Sequence, residues 1–229
     1  TKICPAGIIE FGETGLPEMD KSRAHSCVAC GHCVLFCPES ANSLPFLKRE
    51  NLIDVSNIAL PSEECALNLL KTRRSIRCFK DRTIQDETLF KIFETVKMAP
   101  SACNDQPVRW IISNTREKTA GITNLMLCWL REEIFKDPTA PLSIVAANII
   151  AQARAGRDVL LRGAVQAVIA VVPKEHKWPE DGVIALTYLE LAAHSLGVGA
   201  CWGGFLTMAA RNFEGLREYL GIKDDEYIC

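Results

Sequence analysis

The run Cys27-Val-Ala-Cys30-Gly-His-Cys33-Val-Leu-Phe-Cys37-Pro38 places three thiols at i, i+3 and i+6 and follows them with a C-x3-C-P step. Bacterial iron–sulfur proteins hold clusters with this spacing, so the chemistry it suggests is electron transfer. A second Cys-Pro pair, Cys4-Pro5, stands upstream. Where two clusters share a domain, the fourth cysteine of each run ligates the cluster held by the other. Cys4, Cys27, Cys30 and Cys33 are therefore the expected ligands of one [4Fe–4S] cluster. Cys37 is expected to serve a second, whose other cysteines would precede Thr1, so the sequence reads as N-terminally incomplete. Without such cysteines the chain holds one cluster.

Zinc and disulfides compete for the same thiols. Structural zinc is usually closed by two separated pairs of ligands, and three thiols within seven residues followed by Cys-Pro suit a cubane better. Disulfides need an oxidising compartment, and the first residues show neither the basic start nor the apolar core of a secretory signal. His32, inside the loop, reads as a solvated histidine more readily than as a hydrogen-bond donor to the cluster. The six remaining cysteines, Cys65, Cys78, Cys103, Cys128, Cys201 and Cys229, read as small buried hydrophobes, Cys201 excepted.

Three later segments carry a second constellation. Arg73-Arg74-Ser75-Ile76-Arg77 gathers three guanidinium groups and a hydroxyl at the end of a helical pattern, suited to a phosphate, though also to the helix dipole. Ala99-Pro100-Ser101-Ala102-Cys103-Asn104-Asp105-Gln106-Pro107 sets amides and hydroxyls among turn formers, where they could read the edge of a planar heterocycle or simply form a polar loop. Leu196-Gly197-Val198-Gly199-Ala200-Cys201-Trp202-Gly203-Gly204-Phe205 surrounds an aromatic with four glycines, so that backbone could approach a flat ligand, or turn tightly.

In this order the three segments resemble the FMN-dependent nitroreductase family, in its branch with an N-terminal ferredoxin-type domain. The resemblance implies that Arg73, Arg74, Ser75 and Arg77 hold the FMN phosphate and ribityl chain. It implies that Ser101, Asn104 and Gln106 reach the flavin across a homodimer interface, and that Cys201, Trp202, Gly203 and Gly204 lie along the isoalloxazine. Two departures stand out: Ala102 replaces a second serine common in relatives, and the chain stops at Cys229, before a basic segment that many relatives use for phosphate. A C-terminally incomplete domain is the expectation.

The elements that must position these residues can be read from periodicity. Ile8–Phe11 and Leu16–Met19 read as two short strands about a glycine turn, in a cluster-wrapping module too small to be stable by burial alone. Residues 1–48 are expected to form this ferredoxin-like domain, 49–61 a linker, and 62–229 a nitroreductase-like FMN domain. In the latter, Ser62 is expected to cap a helix ending near Arg73, and Asp86 to open another with Leu89, Ile92, Phe93 and Val96 on its core face. Strands are expected at Trp110–Ile112, Ala167–Val172 and about Ala200–Phe205, with helices near 116–135, 143–155 and 181–196. The fold class is α+β, a mixed sheet flanked by helices.

Composition narrows the function further. With 26 basic and 28 acidic residues among 229, the net charge of −2 offers no field for nucleic acid or an anionic membrane. No apolar run reaches the roughly 18 residues of a membrane span, and a cytoplasmic location is the default. No G-x-G-x-x-G follows a strand, so a Rossmann nicotinamide site is not expected. No Ser/His/Asp order, H-E-x-x-H or paired acid–base signature assigns a catalytic side chain. The expectation is an iron–sulfur flavoprotein passing electrons from NAD(P)H, an external ferredoxin or its own clusters through FMN to nitroaromatics, quinones or similar electron-poor acceptors. An electron-carrier or flavin-storage module that docks a redox partner, and a zinc-binding interaction module, are the alternatives.

Overall fold

A computed structural model describes residues 2–47 and 58–229. It divides into two compact units: one runs to Ser62 and includes Ala102–Asp105, and the other comprises Glu63–Ser101 with Gln106–Cys229. The segment expected to act as a linker, 49–61, lies largely outside the described residues.

The amino-terminal unit is built on the hairpin β1 (Ile9–Phe11) and β2 (Pro17–Met19), paired antiparallel with Glu10 opposite Glu18. Gly15, at φ 75°, supplies the left-handed residue its turn requires. A 3-10 turn over Lys21–Ser26 follows, capped by the Asp20 carboxylate, which accepts the Ser22 N–H at 2.9 Å. Gly31, also at φ 75°, leads into the four-residue helix α1 (His32–Leu35). Ile8, Ile9, Val34 and Leu44 are the buried apolar residues here, a core as small as the module's length implies.

The carboxy-terminal unit contains α2 (Glu63–Thr72), α3 (Asp86–Val96), β3 (Arg109–Ser113), α4 (Arg116–Lys136) and α5 (Pro141–Arg154). After these come β4 (Ala167–Pro173), α6 (Glu180–Ser195), α7 (Gly204–Asn212), α8 (Glu214–Leu220) and β5 (Glu226–Ile228). The sheet runs β3-β4-β5, with Ile111 opposite Ile169 and Val172 opposite Tyr227. Both pairings are antiparallel, where a mixed sheet was expected.

α4 is the centre of the larger core. Ile122, Met126, Trp129 and Leu130 are essentially inaccessible and pack with Val171 of β4 and Leu216 of α8. Two buried hydroxyls fix α4 to the sheet: Ser113 Oγ lies 2.7 Å from Thr119 Oγ1, and Ser113 Oγ accepts the Ala167 N–H at 2.9 Å. A second cluster packs Ile92 and Val96 of α3 on Ala185, Ala192 and Ala193 of α6. The helical spacing of Ile92 and Val96 thus meets a stripe of small residues that lets the two helices approach closely.

Sequence and structure part company between 198 and 228. The strand expected at Ala200–Phe205 is irregular backbone to Gly203, and Gly204 opens α7 instead. Among the remaining cysteines, Cys65, Cys78 and Cys103 are exposed rather than buried. Among the described residues no helix is long and apolar enough to cross a membrane.

Candidate functional site

Two of the three expected cofactor-binding segments meet in the carboxy-terminal unit. The Ile76 N–H donates to the Ala200 carbonyl at 2.9 Å, joining the 73–77 segment edge to edge with the 198–203 segment. At Gly199 the fit is so close that an added Cβ would lie 2.9 Å from Ile76 Cγ1 and Cγ2 and 3.0 Å from its Cβ. A glycine is needed there because the neighbouring chain occupies the space of a side chain.

Beside this junction a cavity of about 210 Å³ opens between α3, α6 and the sheet. Its walls are mainly apolar, with Phe93, Leu186 and Leu189 on one side and Gly199, Cys201, Trp202 and Gly203 on the other. Gly203 precedes α7 and Gly204 is its first residue, with no heavy atom within 4 Å of where the Gly204 Cβ would stand. Backbone here is open to close approach by a flat molecule. Cys201 is half-buried, its thiol 3.7 Å from the Trp202 carbonyl, and Trp202 is 47% exposed.

The basic segment divides its work. Arg73 Nη1 donates to Glu190 Oε1 at 2.8 Å, so its charge is matched within the protein. Arg74 Nη1 donates to the carbonyls of Lys71 at 2.7 Å and Arg73 at 2.8 Å, closing the C-terminus of α2 as the dipole reading anticipates. Arg77 is exposed and Ser75 half-buried.

The third segment lies elsewhere. Ser101 Oγ accepts the Gln106 N–H at 3.0 Å, and Gln106 Nε2 donates to the Lys97 carbonyl at 3.2 Å. Both residues line a separate concavity with Trp110 and Asp181, not the one bounded by Trp202. Asn104 groups with the amino-terminal unit, where its Nδ2 donates to the Ala29 carbonyl at 3.3 Å. Cys103, Asn104 and Gln106 all have positive φ, a conformation that Asn tolerates and Gln rarely adopts. The structure therefore does not bring Ser101 and Gln106 to the Trp202 cavity of their own chain.

In the amino-terminal unit, Cys4, Cys27, Cys30 and Cys33 line one small concavity together with Ile8, Met19 and Leu44. Cys37 is not among its lining residues; its sulfur accepts the Ala41 N–H at 3.2 Å. Burial pushes the Cys33 thiol above its ordinary pKa, and the neighbouring Cys30 and Cys27 raise it further. At Cys4 burial acts in the same direction, but the backbone N–H groups of Ile8, Ala6 and Gly7 outweigh it and the net shift is downward. His32 is exposed, as expected, at the start of α1; its Nδ1 lies 3.1 Å from Cys30 Sγ, and its ring stacks on Phe36 at 5.8 Å. Among the described residues no group of three or more His, Cys, Asp and Glu side chains is disposed to hold a single metal ion.

Glu190 is the site residue that the sequence did not disclose. It sits on the cavity face of α6, 8% exposed, and takes a second hydrogen bond on Oε2 from Trp202 Nε1 at 3.0 Å. An acid within the apolar stretch Leu189–Ala193 was its only signal.

Comparison with known proteins places the constellation in context. The model of the Nitroreductase family matches residues 70–229. A protein of Archaeoglobus fulgidus named "Putative NADH dehydrogenase/NAD(P)H nitroreductase" is 32% identical over 163 residues, covering 71% of this chain and 79% of its own. One of the same name from Methanothermobacter thermautotrophicus is 30% identical over 158 residues, covering 69% and 70%. Among solved structures, a nitroreductase with bound FMN from Desulfitobacterium hafniense superposes with a TM-score of 0.57 at 25% identity, over 71% of this chain and 83% of that one.

Proposed function

Because the chain belongs to the Nitroreductase family, we propose that this FMN-dependent oxidoreductase holds its flavin at the junction of the 73–77 and 198–204 segments. There it reduces nitroaromatics, quinones or similar electron-poor acceptors at the expense of NAD(P)H. The observation that carries the reading is the Ile76–Ala200 hydrogen bond, which sets the basic segment beside the glycine-flanked mouth of the cavity.

The residues fit the group. Arg77 and Ser75 supply a charged and a neutral donor for phosphate and ribityl oxygens, with Arg74 adding charge from the end of α2. Gly203 and Gly204 admit a ring plane to the backbone, and Cys201 and Trp202 bound it. Bound FMN supplies hydride and one-electron chemistry between a donor and an acceptor. The chain's task is to orient the ring, exclude water with the apolar cavity wall and admit a flat acceptor. Ser101 and Gln106 do not meet this cavity; in this reading they and Asn104 complete the flavin site of a second copy in a homodimer.

The proposal extends to the amino-terminal unit, where Cys4, Cys27, Cys30 and Cys33 hold a [4Fe–4S] cluster, and Cys37 is left for a second only where further cysteines supply its other ligands. Four thiols around one concavity support it, as do the amides at Cys4, which favour a thiolate. A tetrahedral zinc site would draw its sulfurs to about 2.3 Å from one ion. An NAD(P)H-dependent turnover assay with a nitroaromatic and a quinone tests the enzyme, and electron paramagnetic resonance of the reduced protein tests the cluster. Bound flavin without turnover of any acceptor would favour a carrier.

A further inference from the structure

Glu190 is a buried charge with both oxygens committed. Oε1 accepts from Arg73 at 2.8 Å and Oε2 from the Trp202 indole at 3.0 Å. Three stretches of chain thus converge on one carboxylate: the residue after α2, more than a hundred residues away, the face of α6 and the segment entering α7. Thr72 and His194, hydrogen-bonded at 3.0 Å, tie α2 to α6 a second time. A carboxylate so placed is costly to bury and is retained only with charged and hydrogen-bonding partners, which these are. What it fixes is the position of the two side chains it holds.

Trp202 gives that fixing a consequence. The indole lines the cavity yet is 47% exposed, so packing covers only about half of it, and its N–H bond to Glu190 is a directed anchor. We infer that Glu190 is a positioning residue that pins Trp202 at the mouth of the cavity and thereby sets which acceptors enter. Arg73 is its counter-ion, not a phosphate ligand. The inference rests on the proposed function only in taking this cavity as the way in for the acceptor.

A double-mutant cycle on the full chain tests it, using Glu190→Ala, Glu190→Gln, Trp202→Phe and the two double variants. The Trp202 emission is isolated by subtracting that of Trp202→Phe, since the chain has four tryptophans. In flavin-free protein Glu190→Ala should make this emission several-fold more accessible to iodide. Glu190→Gln, whose amide oxygen still accepts the indole N–H, should restore part of the protection. In the loaded enzyme Glu190→Ala should raise the KM for nitrobenzene about tenfold, more than it lowers kcat. In the Trp202→Phe background the same change should leave KM unaltered.

Unchanged iodide access in Glu190→Ala, or an equal KM effect with and without Trp202, would overturn the inference. If Glu190→Ala does not fold, Glu190→Met, which fills a similar volume without accepting from the indole, carries the cycle. Absence of turnover in the parent chain would count against the proposed function, while the flavin-free quenching still decides the role of Glu190.

Discussion

Replacing Gly199 with alanine tests the junction on which the flavin site depends. The new methyl would stand 2.9–3.0 Å from three atoms of Ile76, one of them the Cβ, which no rotamer change can remove. The 73–77 segment must then move away, and the Ile76 N–H bond to the Ala200 carbonyl lengthens or breaks. Overpacking of this kind costs about 1–3 kcal/mol. If half of the site is displaced in proportion, FMN affinity falls by about 5- to 150-fold. For a unit of this size the melting temperature falls by about 2–12 °C. Fluorescence titration of the flavin-free protein with FMN, with thermal melts alongside, measures both. The companion Gly199→Ala/Ile76→Gly, which removes all three atoms, should recover much of the loss by restoring the space. FMN binding by Gly199→Ala as tight as that of the parent, or no recovery in the double variant, would refute the reasoning.

Three further expectations follow from other parts of the molecule. Arg77→Ala should weaken FMN retention by about tenfold to a hundredfold, the worth of one charge-assisted contact, whereas Arg73→Ala should act first on Trp202 quenching; equilibrium dialysis and iodide titration separate the two. Cys30→Ser should remove one cluster's iron while leaving the flavin bound, which parallel iron and FMN analyses would check. Hydrogen bonding from Arg109 holds the Glu226 carboxyl below the usual carboxylate range despite its burial, with Arg109 Nε 2.6 Å from Oε1. The pair's stability is therefore present above the unfolded carboxylate pKa of about 4.3 and is lost as pH falls through the lower folded value. Urea midpoints across that range should decline less steeply with acid in Glu226→Gln, and a parallel decline would exclude this pair.

What the sequence made legible depended on how local each signal was. Ile92 and Val96 recur at helical spacing, and the run Ala167–Val172 is β-branched and apolar, so both elements stand where the pattern puts them. At Ala200–Phe205 the glycines that suggested a strand turn instead form an irregular lead into α7, whose start depends on the backbone meeting Ile76, a contact more than a hundred residues distant in sequence. The three arginines of 73–77 look alike in sequence. They separate only when Glu190 of α6 claims one and the carbonyls closing α2 claim another. Glu190 itself belongs to no motif, and its role follows from tertiary burial alone.

Cofactor analysis of protein purified without air tests the central claim most directly. The account predicts about one FMN per chain, together with about four irons and as many sulfides for each cluster held. Protein that carries no flavin and takes up none on incubation with FMN would contradict it.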